Sequence, residues 1–380
     1  MNYSAQEQQM CRESHSLKGS WPVILVNFLV TLPCMANILL SLLLFVLLCR
    51  HAVFHFNLRT IFASVCLANC QFAFVRLCNA AWNVTDGFIN IGGHRWEGCA
   101  GVMSQRECCY TLCPMIVGGI VILWSLIILA GERIYSAVKY REYEQVKSIW
   151  FAVATITVQW SLSLLVAVLS SKNILLDGAK GDEPILQCSP LQTASTGAVK
   201  RVFVVSVVLE TLLFAVFLSV LHYNQSRKKR VKVAQTVAPP VGRAALGASQ
   251  LSQRYQVNEN VKMTRLILHL LTAHFVCMIP PQLSLIYFHS GGMDQLSWSG
   301  LAIAEVVHSS LSILTVLFGS LFSYLNIRNS SLLSEKARKC LPEKLGAWLF
   351  PKKSATEEML AEELNVDPFQ LVDRAWRQRP

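Results

Sequence analysis

The sequence predicts an all-α membrane protein, a bundle of seven transmembrane helices. Three observations carry this. Of 380 residues, 53% are apolar and only 15% charged, whereas a soluble domain carries roughly 25% charged residues. Seven runs reach the length that a helix needs to cross bilayer hydrocarbon, about 20 apolar residues. Lysine and arginine then concentrate in alternate connecting segments, as cytoplasmic loops do.

The spans are expected near 22–49, 56–80, 108–132, 148–170, 200–224, 262–288 and 298–324. Residues 1–20 are polar and form an N-terminal tail. The run from Trp21 to Cys49 is too long for the core of a cleavable signal and reads as an uncleaved first span. The second run is the weakest, with Asn57, Asn69, Gln71 and Arg76; a re-entrant segment in a six-span protein is the alternative there. Asn37 and Asn69 are expected to bridge the first two helices by hydrogen bonds. The third run has no ionisable side chain from Met115 to Ala130 and then meets Glu132-Arg133. The sixth carries His269, His274 and Pro280-Pro281, a kink site inside a bundle. The Ala-, Gly- and Ser-rich stretch from Pro239 to Ser252 reads as flexible loop. The transmembrane domain is expected over 21–325 and a tail over 326–380. A short amphipathic helix is expected near 332–350, lying on the membrane surface, with Cys340 a candidate for palmitoylation.

Charge sets the orientation. Segments following odd-numbered spans, with the C-terminal tail, hold 24 Lys and Arg, and the remaining segments hold 7. The N-terminus is therefore expected outside and the C-terminus in the cytoplasm. Asn83-Val84-Thr85 then falls in an outside loop over 81–107, making Asn83 a glycosylation candidate. Cys188 is the single cysteine of the 171–199 loop. An oxidising exterior permits it to bridge the outer end of the third span, with Cys108 or Cys109 favoured by depth and a Cys188 unpaired or bridged elsewhere as the alternative.

Glu132-Arg133 stands at the foot of the third span. Charge at the rim of hydrocarbon is costly unless paired or wetted, so the pair is either a surface edge with a snorkelling Arg or a functional lock. Seven helices with inside basic loops resemble G-protein-coupled receptors, many of which keep an acidic-Arg pair at this place. A second stretch, Arg254-Tyr255-Gln256 with Glu259-Asn260, leads into the sixth span. Together with Glu132-Arg133, Ala137 and Tyr143-Glu144, it resembles the nematode serpentine chemoreceptors of the Sra superfamily, most like class e (Sre). The likeness runs over roughly 20–345. It implies a chemosensory receptor in the plasma membrane of sensory cilia that binds an extracellular small molecule and activates a heterotrimeric G protein. It also implies that Glu132, Arg133, Tyr143, Arg254, Tyr255, Gln256, Glu259 and Asn260 couple the G protein or hold the inactive state. The seventh span ends in Ser323-Tyr324-Leu325-Asn326 and lacks the NPxxY pattern of rhodopsin-like receptors.

Polar residues inside spans are costly and mark candidate ligand contacts. Arg76 stands near the outer end of the second span. Glu305 and His308, three apart on the seventh, share a helix face, and Glu305 is a candidate partner for Arg76. His269 and His274 are expected lower, nearer the cytoplasm. The basic inner segments suit anionic inner-leaflet lipid. No compact basic domain points to nucleic acid. No HExxH, P-loop or GxGxxG occurs, and the histidines lack metal-ligand spacing. Neither an enzyme, a metal nor a cofactor is therefore expected. A transporter would show repeated halves, which are not seen; a transporter or a non-signalling scaffold is the alternative to a receptor, with a membrane hydrolase behind both.

Overall fold

Lipid offers no hydrogen bonds, so an apolar run must close its backbone bonds within itself. The chain does so as long α-helices. The computed structural model describes residues 14, 16–51, 54–91, 103–139, 149–176, 188, 197–237, 243–290 and 298–351. In chain order the helices are α1 (Trp21–Arg50), α2 (Phe56–Ile91), α3 (Gln105–Val138), α4 (Ile149–Leu176), α5 (Gly197–Val237), α6 (Arg243–Ser290), α7 (Trp298–Asn329), α8 (Ser331–Cys340) and α9 (Glu343–Leu349). Each of α1 to α7 is long and apolar enough to cross a membrane. The six-span alternative fails, because α2 is one continuous helix of 36 residues. Leu25, Phe28, Leu32 and Leu39 of α1 are about half exposed or more, an apolar surface suited to lipid.

Several helix ends differ from expectation, among them α5, which runs on to Val237. α2 runs on to Ile91. The segment before α1 packs on this extension: Lys18 Nζ lies 2.9 Å from Asp86 Oδ2, both groups buried. A side chain at Gly87 would meet the Lys18 carbonyl at 2.7 Å, so only glycine admits the approach. Asn83 therefore lies on a helix and is 4% exposed. A buried helical amide is a poor acceptor for glycan transfer, and the expected outside loop at Asn83 is corrected. α3 opens at Gln105 with a capping box, Ser104 N donating to Glu107 Oε2 (2.9 Å) and Glu107 N to Ser104 Oγ (3.2 Å). α6 begins at Arg243, inside the stretch expected to be flexible; Arg243-Ala244-Ala245-Leu246 are all strong helix formers.

The tail helix expected near 332–350 is two helices, divided at Leu341-Pro342. Proline has no N–H with which to continue α8. Ser330 Oγ caps α8 by accepting from Leu333 N at 3.3 Å. On its exposed face Lys339 pairs with Glu335 at 2.6 Å and holds that carboxyl below its usual range.

The chain divides into two compact units. The first comprises Met1–Ile128, Ser148–Leu213 and Leu270–Leu325; the second comprises Leu129–Lys147, Phe214–His269 and Asn326–Pro380. Inside the first, Gln159 Nε2 of α4 donates to the Val121 carbonyl of α3 at 2.8 Å, and Trp160 Nε1 donates to Ser64 Oγ of α2 at 3.0 Å. Asn37 does not join α1 to α2 as expected. Its Oδ1 accepts from Ser41 Oγ (2.9 Å), and Ser41 Oγ meets Ser323 Oγ of α7 (3.1 Å). A Cβ at Gly319 of α7 would lie 2.4 Å from the Asn37 amide. The glycine lets α7 close on α1, and that turns Asn37 toward α7. Asn69 is buried with its Nδ2 making no hydrogen bond.

Candidate ligand cavity and buried ion pair

The first unit holds a cavity of about 170 Å³ whose lining comes mainly from α2, α3, α5, α6 and α7. Its walls are mostly apolar, with Phe72, Leu112, Met115, Ile120, Phe203 and Leu285 among them. Five long polar side chains reach it: Arg76, Glu210, His274, Gln282 and His308. Gln282 Nε2 of α6 donates to Glu210 Oε1 of α5 at 3.0 Å. His274 Nδ1 stands 3.6 Å from Glu210 Oε2, beyond hydrogen-bond reach. The His274 ring is held edge-on against Phe318, 4.8 Å between centroids. Arg76 Nη2 donates to Ser312 Oγ of α7 at 3.1 Å.

The proline pair shapes the same wall. Ser284 Oγ donates back to the Pro281 carbonyl at 2.7 Å, the side-chain bond that often accompanies a bent helix. That uses the one hydroxyl hydrogen, so at the 3.1 Å contact His308 Nδ1 donates to Ser284 Oγ. α6 and α7 are joined through it.

A disulfide braces the first unit. Cys188 is bonded to Cys108, with Cα atoms 5.3 Å apart, and its carbonyl accepts from Asn79 Nδ2 of α2 at 3.2 Å. The bridge forms a buried cluster with Leu112 and Met115, against which Phe72, Val75 and Met103 pack. Cys109 is a buried free thiol that lines the cavity. One residue is about 100° round a helix, which gives these two neighbours different faces.

Of the pocket residues expected from sequence, Arg76 and His308 line the cavity. Glu305 is fully buried but does not. Residues three apart still differ by about 60° round the helix, enough to separate it from His308. His274, expected in a lower position, is a cavity residue, and His269 is not. Glu210 and Gln282 were missed as pocket groups. Glu210 did carry a signal, being the sole ionisable residue between Phe203 and Val220, and an intramembrane charge is a site candidate on its own. Among the described residues no group of three His, Cys, Asp or Glu could hold a metal ion.

The second unit has its own polar cluster. Glu132 and Arg133 face each other as a two-pronged ion pair through Arg133 Nε and Nη2. They are 7% and 2% exposed, so Arg133 does not snorkel. Asn260 Nδ2 of α6 donates to the Ser136 carbonyl of α3 at 3.1 Å, and Ser136 Oγ donates to the Arg133 carbonyl, also at 3.1 Å. Thr264 Oγ1 donates to the Asn260 carbonyl (2.7 Å) and accepts from Asn224 Nδ2 of α5 (3.4 Å). Helices α3, α5 and α6 are thus tied together one turn below the ion pair. The structure brings Glu132, Arg133 and Asn260 into one cluster and adds Ser136, Asn224 and Thr264. Arg254, Tyr255, Gln256 and Glu259 lie on α6, with their side chains outside the described set, and Tyr143 lies outside the described residues.

This fold has known counterparts. Residues 5–318 match the family model "Serpentine type 7TM GPCR receptor class ab chemoreceptor". The motifs round Arg133 and Arg254 had suggested class e. A curated relative, "Serpentine receptor class alpha/beta-14" of Caenorhabditis elegans, is 25% identical over 315 residues, covering 80% of this chain and 72% of the relative. Among solved structures squid rhodopsin is similar in fold, with a TM-score of 0.63 at 7% identity, over 91% of this chain and 85% of the other. The chain belongs to the class ab serpentine chemoreceptors, and is a multi-pass membrane protein and chemosensory G-protein-coupled receptor.

Proposed function

We propose that the cavity of the first unit is the ligand site and that the Glu132-Arg133 cluster of the second is where the receptor is restrained or meets its G protein. The observation that supports this reading most is the cavity itself. Its wall is mostly apolar with a few polar groups, the usual make-up of a small-molecule site. Four of the helices that line it, α3, α5, α6 and α7, also carry residues of the second unit. A ligand drives signalling only by favouring one helix arrangement over another. Buried Glu132 and Arg133 satisfy each other, so opening the pair leaves a charge to be met by a partner.

The N-terminus faces outside and the C-terminus the cytoplasm, in keeping with the excess of Lys and Arg in segments after odd-numbered spans. The layout is an outside tail over 1–20, a transmembrane domain over 21–325 and a cytoplasmic tail over 326–380. The basic run Arg227 to Arg230 and helices α8 and α9 contact anionic inner-leaflet lipid; Trp348, 77% exposed, serves as an interfacial anchor. The receptor works in the sensory cilium, binds no nucleic acid and catalyses no reaction.

The test is expression in cells with a calcium or cAMP reporter and a screen of small organic molecules. A response lost in Arg133→Ala at unchanged surface expression supports the role given to the pair. A response that survives the substitution intact overturns it.

A further inference from the structure

The charge balance round the cavity is uneven. Five charged side chains are buried among the described residues of the first unit: Lys18, Arg76, Asp86, Glu210 and Glu305. Lys18 pairs with Asp86. Arg76, elsewhere on the cavity wall, has Glu305 acting on it as counter-charge and Ser312 as hydrogen-bond acceptor, and keeps its Nε buried without a hydrogen bond. Glu210 remains, 1% exposed and on the cavity wall, with no Lys or Arg against it. A carboxylate buried without a cation is costly.

The hydrogen-bond inventory points the same way. Glu210 Oε2 and Gln282 Oε1 are buried and make no hydrogen bond within the protein. Both atoms can only accept when the carboxylate is ionised. One of the two hydrogens on the Gln282 amide nitrogen goes to Glu210 Oε1, which fixes the amide with its oxygen available. Both His274 nitrogens are likewise buried without a hydrogen bond, and a neutral imidazole supplies one donor and one acceptor. Acceptors therefore outnumber donors on this side of the cavity. A carboxylic acid brought here would add an anion beside an anion. An alcohol would supply one donor hydrogen. An ammonium group supplies up to three donors and a positive charge.

We propose that the cavity takes a small organic ammonium ion, its nitrogen donating to Glu210 Oε2 and Gln282 Oε1 and its apolar body lying on Leu112, Met115, Phe203 and Leu285. The volume sets the size. A cavity of about 150 Å³ holds benzene, so about 170 Å³ here suits a primary amine carrying one six-membered ring. This inference rests on the cavity being the ligand site and names the ligand class for it.

The experiment measures binding to the full-length receptor purified in detergent or nanodiscs, with no G protein present. The probes are benzylamine, cyclohexylamine, benzyl alcohol and benzoate, and the readout is thermal stabilisation with titration. The amines are expected to bind at least tenfold tighter than benzyl alcohol, and benzoate to be weakest. Glu210→Gln keeps the shape and the bond to Gln282 and is expected to lose at least tenfold in amine affinity while leaving benzyl alcohol unchanged. Should Glu210→Gln fold poorly, the preference of the unaltered receptor for amine over alcohol decides the matter without it. Benzoate or benzyl alcohol binding better than the amines overturns the ammonium proposal and leaves the cavity as the ligand site. Binding of none of the four overturns the proposal. Amine affinity unchanged in Glu210→Gln also overturns it. Because no G protein is present, failure of the coupling role of Arg133 shows only in the cell reporter.

Discussion

The cavity and the ion-pair cluster spend their buried polar groups in opposite ways. In the cavity Glu210, Gln282 and His274 stand within a few ångströms of one another, yet each keeps at least one atom without a hydrogen bond in the protein. In the cluster Glu132 and Arg133 meet face to face, and Asn260, Ser136 and Thr264 bond in sequence. A buried polar atom left unmade costs about 1–3 kcal/mol, so the first arrangement gains when a ligand supplies the missing partner. The second is closed and gains nothing from a small molecule. It resists opening instead. The comparison separates a site built to receive from one built to hold.

Removing the brace of the receiving site is expected to have the largest effect. Cys188→Ser breaks the bridge to Cys108 and should cost about 2–5 kcal/mol in stability, the usual loss for a native disulfide. A fall in melting temperature with weakened ligand response is the expected result. Full retention of both shows that Asn79 alone holds the segment. A smaller effect is expected from Gly319→Ala. Its Cβ collides with the Asn37 amide, and overpacking of this kind costs typically about 1–3 kcal/mol. Double substitution with Asn37→Ala should recover much of the lost melting temperature; no recovery means α7 and α1 do not meet there. The smallest is Asn260→Ala, which removes one link between α6 and α3 worth about 1 kcal/mol. Basal reporter signal should rise several-fold with ligand affinity nearly unchanged. An unaltered basal signal sinks the restraining role of that bond and blurs the contrast between the two sites.

Much of the plan was legible because it rests on composition. Apolar length defines a span whatever its neighbours do, and all seven runs became helices. Cys188 was legible as a bridge because it stood alone in its loop. The helix ends were less so. Tertiary contact decided them: the buried Lys18–Asp86 pair goes with an α2 that continues past the expected end of the span and takes Asn83 with it. Asn37 was seen as a polar bridge but assigned the wrong partner, because nothing in its own helix reports that Gly319 will lie against it.

Local physics along the chain is enough to locate the seven apolar runs and to single out Glu132-Arg133; that the second run is one continuous helix and that the pair is buried came from the folded bundle. The choice of Cys108 over Cys109, the withdrawal of Glu305 from the cavity, and the meeting of Glu210 with Gln282 and His274 required the folded bundle. Each depends on how far one helix is rotated about its axis against another. That rotation is set by packing across helices distant in sequence, and no single apolar run records it.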